Sequence, residues 1–142
     1  MAVSDNQRHR GALHPIHAVL LAGAVPLFLG AMLSDIAYSS SYQVQWKNFA
    51  SWLIVGGLAL SGFALLWSGI DLLRADRRGK LPLASFLLLL TTWALGFINA
   101  LIHARDAWGS MPEGLVLSII VAVLAVAATW LAFSGLRPGA DK

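Results

Sequence analysis

Two histidines stand three residues apart at His14 and His17, directly ahead of a long apolar run. On a helix that spacing turns both imidazoles to one side. Imidazole is the commonest transition-metal ligand and the side chain that titrates near neutral pH. An i, i+3 pair suits a small metal ion. It is a poor source of two opposite axial ligands on one haem iron. Asp71 is the nearest companion, because a carboxylate accepting an imidazole N–H is the usual second partner of a ligand histidine. A second polar group is formed by Asp35, Asn99 and His103, of which Asn99 and His103 are four apart and share a helix face.

The elements that carry these residues are membrane spans. The chain has 142 residues, 58% hydrophobic and 12% charged. That charge content is about half of what a soluble domain carries. A spanning helix needs about 20 mostly apolar residues. Four segments qualify, at about 15–38, 50–73, 81–102 and 111–136, within a domain spanning 13–136. Residues 1–12 and 137–142 are the tails. No Asp, Glu, Lys or Arg falls in the middle third of any segment, where each would cost about 2.5–3.5 kcal/mol. Pro15, Pro82 and Pro112 suit first turns, where no N–H is needed. The expected fold is all-α: an integral-membrane, antiparallel four-helix bundle with about a dozen residues in the first loop and shorter loops elsewhere.

Orientation follows from the basic residues. Arg8, Arg10, Arg74, Arg77, Arg78, Lys80, Arg137 and Lys142 fall on one side, and only Lys47 and Arg105 on the other. Basic loops stay inside, so both termini are expected in the cytoplasm, in a multi-pass protein of a bacterial inner membrane. The first segment is longer than the apolar core of a signal peptide and is expected to be retained. The net charge of +3 is therefore a topology signal and points to no nucleic-acid partner. With no cysteine in the chain, disulfides, thiolate zinc, iron–sulfur clusters and covalently attached haem are excluded. No phosphate loop, nucleophile–base pair or HExxH motif suggests an enzyme.

The same topology places His103 across the bilayer from His14 and His17, about 30 Å away. The two groups cannot share one metal or haem. Simpler roles compete at each position: His14 and His17 flanking a helix start, Asp71 pairing with Arg74 at i, i+3, His103 at the interface beside Arg105 and Asp106, and Asn99 in an interhelical hydrogen bond. Small residues at Gly62 and Gly69, at Ala64 and Ser68, and at Ser118, Ala122, Ala125, Ala128 and Ala132 predict close helix packing, with an oligomer interface as the lesser alternative.

Several stretches carry a resemblance. HPIHAVLLAGAVPLFLGAMLSDIAY, SGIDLLRADRRGK and LGFINALIHARDAWGSMPEGLVLSII resemble a bacterial family of predicted membrane proteins, the domain of unknown function 2231, which opens on a His-Pro-x-His-Pro motif. The matches fall at His14, Pro15, His17, Asp35, Gly69, Ile70 and Asp71, and the likeness runs from about residue 12 to 136. Two departures stand out. Ala18 replaces the second proline, and KLPLASFLLLL lacks the histidine that many members carry early in the third helix. The resemblance implies a redox or electron-transfer setting. The favoured expectation is a non-enzymatic subunit binding a metal ion or haem through His14, His17 and Asp71, alongside a redox partner. A cofactor-free structural or partner-anchoring subunit is the alternative, and a small proton or solute pathway the third.

Overall fold

The structure is a computed structural model and describes residues 13–74 and 79–135. Four helices follow in order: α1 Pro15–Ser41, α2 Val44–Leu73, α3 Lys80–His103 and α4 Glu113–Ser134. A 3-10 turn, Ala107–Ser110, lies between α3 and α4. All four helices are long and apolar enough to cross a membrane, and no strand occurs among the described residues. Arg8, Arg10, Arg77, Arg78, Arg137 and Lys142, on which the expected orientation rests, lie outside the described residues.

The helix ends follow local chemistry. His14 is the N-cap of α1: its ring Nδ1 accepts the Ile16 N–H at 3.3 Å, and Pro15 fills the first helical position. At the other end of α1 the chain departs from expectation. The first loop is two residues, Tyr42 and Gln43, rather than about a dozen. Ser39, Ser40 and Ser41 return their hydroxyls to the carbonyls of Ile36 and Ala37, so this polar stretch stays helical. Tyr42 then takes a left-handed conformation, φ 55°, and its N–H caps the Tyr38 carbonyl. QWKNFA, polar enough to read as loop, forms the first turns of α2.

The helices stand in a ring, α1 packing on α2 and α4, and α3 packing on the same two. Without a hydrophobic drive between helices in lipid, close approach supplies the packing energy. Glycines provide it along α1 and α2. Gly23 faces Leu60, Leu27 faces Gly56, and Gly30 faces Leu53, three rungs of one antiparallel register. Gly57 lies against the Phe28 ring so closely that a Cβ there would come within 2.7 Å of it. Gly96 of α3 flanks the same ring. Phe28 thus fills the centre, backed by Ala122 and Ala125 of the small-residue stripe on α4. A second layer joins Leu21, Ala64, Leu89 and Ala128. Trp93 spans α3 to α2 by donating its indole N–H to the Leu58 carbonyl at 3.1 Å, over Gly62.

Polar groups in mid-bundle are spoken for locally. Ser61 and Thr92 are buried and donate to the carbonyls of Gly57 and Leu88 in their own helices. The outward faces carry Leu33, Trp52, Phe63, Leu66, Val123 and Trp130, all exposed as lipid-facing residues would be.

Candidate functional site

Near one end of the bundle, three helices converge on a buried polar ring. Asp35 comes from the last two turns of α1, Asn99 and His103 from the final turns of α3, and Ser118 from the second turn of α4. Asp35 is 0% exposed, Asn99 1%, Ser118 2% and His103 3%. The Asn99 side-chain amide donates to Ser118 Oγ at 2.8 Å, and Ser118 donates to Asp35 Oδ2. The other carboxylate oxygen, Oδ1, lies 2.8 Å from His103 Nε2. His103 Nδ1 lies 2.9 Å from the Asn99 backbone carbonyl. The hydrogen bonds therefore leave Asn99 through its side chain and return to its main chain.

The partners fix the protonation pattern. A carbonyl oxygen only accepts, so His103 Nδ1 carries a hydrogen. The contact between Nε2 and Asp35 Oδ1 then needs one more proton, on either atom. Asp35 and His103 together share that proton and are neutral as a pair. This is the form in which an acid and a base survive burial at low cost. Both ring nitrogens are engaged, so His103 could ligate a metal only by giving up one of these bonds. Asn99 Oδ1 is buried with no hydrogen-bond partner among the described residues.

The surroundings hold the ring in place. Gly114, at the start of α4, lies against the imidazole, where a Cβ would come within 2.9 Å of His103 Cε1. The loop from His103 to Gly114 is tied to both neighbouring helices. Tyr38 donates its hydroxyl to the Ala107 carbonyl at 3.0 Å, and Lys47 donates to the Arg105 carbonyl at 2.7 Å. Ser110, fully buried, donates to the same Ala107 carbonyl. Beside this loop lies a groove of about 370 Å³ with Tyr38, Tyr42 and Trp108 in its walls. Tyr42 and Trp108 stack there, 5.7 Å between ring centres.

The family model described as Predicted membrane protein (DUF2231) matches residues 13–134. The chain belongs to that family. No curated protein and no solved structure matches it.

The expected sites of this DUF2231 protein fare unequally. Asp35, Asn99 and His103 come together in hydrogen-bonding contact. Asn99 makes the expected interhelical bond. His103, expected at the interface beside Arg105 and Asp106, is instead enclosed, because glycine at 114 lets α4 close over its ring and Asp35 reaches it from α1. Tyr38, one turn from Asp35, is buried too.

The histidines at the other end diverge. His14 is exposed, capping its own helix, with its ring 4.7 Å from that of Trp67. His17 is buried. Asp71 is half-buried, and no ion pair joins it to Arg74. Arg74 is the C-cap of α2, its N–H still bonded to the Ile70 carbonyl, and its side chain is exposed. Among the described residues, no group of three or more His, Asp or Glu is placed to hold a metal ion. The geometry of His14, His17 and Asp71 thus gives no support to a metal or haem site.

In the sequence Ser118 looks like one of the small packing residues, and the structure makes it the bridge between Asn99 and Asp35. The available signal was its position: it is the one hydroxyl in the first three turns of α4, at the end of the bundle where Asn99 and His103 also lie.

Proposed function

We propose that this DUF2231 protein handles protons, and that its working group is the buried Asp35–His103 pair. The observation that carries this reading is the engagement of His103 Nδ1 by the Asn99 carbonyl, which leaves the pair holding one shared proton. Titratable groups buried inside a membrane are costly, and proton relays are among their established uses. Tyr38, one turn from Asp35, forms part of the groove wall, which supports access from that end of the bundle. Ser61 and Thr92 are bonded within their own helices, which supports uptake and release on one face more than conduction across the bundle. The distribution of Lys and Arg supports both termini in the cytoplasm of a bacterial inner membrane, with the pair on the opposite side.

The test is nitrogen NMR of the histidines in bicelles, across a pH series. The expected result is one His103 step at Nε2, with Nδ1 still protonated on the low-pH side, and loss of that step in Asp35→Asn. An identical His103 spectrum at every pH sinks the proposal. A second reading is a structural staple without cofactor. It is favoured by the complete use of both carboxylate oxygens and both ring nitrogens, and it predicts that unchanging spectrum.

A further inference from the structure

The ring around His103 does not survive loss of its shared proton. With the shared proton removed, two tautomers remain. If Nδ1 keeps its hydrogen, the Nε2 lone pair faces Asp35 Oδ1 at 2.8 Å. If Nε2 takes the hydrogen, the Nδ1 lone pair faces the Asn99 carbonyl at 2.9 Å. Neither keeps both contacts attractive, and water does not screen the repulsion at this depth. His103 must then leave one partner.

The ring has little freedom to do so alone. Gly114 backs it on one side, where even a Cβ would come within 2.9 Å of the ring. A ring displaced toward α4 presses on the first turn of that helix, where the loop between α3 and α4 ends. That loop is held from outside by two neutral-acceptor bonds, from Tyr38 and from Lys47. The titratable and charged groups around the imidazole are few. On α1 they are Asp35 and Tyr38. On α4 Glu113 is exposed beside Gly114, and the loop's Arg105 and Asp106 are exposed. From α2 the nearest is Lys47, through its bond to Arg105.

We infer that the Asp35–His103 pair is a proton-operated latch on the loop of residues 104–112. Bearing its proton, the pair closes the hydrogen-bond ring and fixes the loop. On losing it, His103 gives up a partner, the loop shifts, and the carboxylate becomes accessible from the groove that Tyr38 lines. This rests on the proton-handling reading and goes further, because a proton could leave the pair without moving the loop.

The full chain lacks cysteine, so introduced thiols can be spin-labelled uniquely. Gly109→Cys has room for its side chain, and Gln45→Cys is exposed on α2. Electron–electron distance measurement on this pair in liposomes, across pH, reads the loop position. A second, displaced distance should grow about tenfold in population as the pH rises through the His103 step seen by NMR. In an Asp35→Asn background it should stay minor at every pH. The asparagine amide can donate to His103 Nε2 while its oxygen accepts from Ser118, mimicking the protonated pair. Equal growth in both backgrounds overturns the latch. So does a pH-invariant distance in the chain with Asp35 intact, whether or not the asparagine variant folds. An NMR step without a distance change removes the latch alone; no NMR step removes the proton-handling reading as well.

Discussion

His103→Ala is the most informative single perturbation, and its cost depends on what it leaves behind. Asp35 is fully buried and hydrogen-bonds two side chains, His103 and Ser118. Deleting the imidazole leaves it with Ser118 alone. Stranding one member of a buried ion pair costs about 3–5 kcal/mol. Proton uptake by Asp35 would trim that figure, since the carboxyl is then neutral. Asp35→Ala plus His103→Ala removes the stranded group as well. A charge-assisted hydrogen bond contributes about 1.5–3 kcal/mol, so the double variant should fall short of the summed single effects by about that much. Ordinary interhelical hydrogen bonds in membranes average about 0.6 kcal/mol, which is the coupling expected between Asn99 and Ser118. The two values are far enough apart to separate. Reversible unfolding in mixed micelles, followed by circular dichroism on all four members of the cycle, measures the coupling. Additivity at Asp35 and His103 within about 0.5 kcal/mol would refute the paired, shared-proton description.

Other outcomes follow from the packing and from the opposite end. Gly57→Ala should destabilise the bundle by about 1–3 kcal/mol, because its methyl group meets the Phe28 ring, while Gly69→Ala, whose Cβ would sit 3.5 Å from Phe86, should cost nothing in the same unfolding assay. Protein purified anaerobically from iron-replete cells should show no Soret band and no stoichiometric transition metal, and should be unchanged in this respect by His14→Ala plus His17→Ala. A stoichiometric metal lost in that double variant would restore the reading that the geometry of Asp71 and the two histidines fails to support.

Much of the bundle was legible because lipid imposes a length rule: four apolar runs separated by polar breaks leave few alternatives. What escaped was local. Polar residues from Ser39 to Lys47 look like a loop, yet serine hydroxyls can serve a helix as readily as they end one. The α1–α2 seam is invisible in the sequence because Gly23, Gly30 and Gly56 reveal their purpose only against Leu60, Leu53 and Leu27 of the facing helix. At the site, the shared depth of Asp35, Asn99 and His103 could be read from span boundaries. The enclosure of His103 could not, since it depends on Gly114 and on the rotation of α4. A histidine at a helix end looks interfacial until the neighbouring helix is in place.

The ring of hydrogen bonds joins residues far apart in the chain: 68 positions separate Asp35 from His103, and 83 separate it from Ser118. During synthesis, α1 must enter the bilayer well before either companion has left the ribosome. Asp35 therefore meets the membrane as a lone acid, until the third span brings His103 and the fourth brings Ser118. A nascent chain stalled after three spans would have the histidine but not the serine bridge. Completion of the ring is thus a chemical record that all three contributing spans are seated, and an unfinished bundle would carry an unsettled acid inside the membrane.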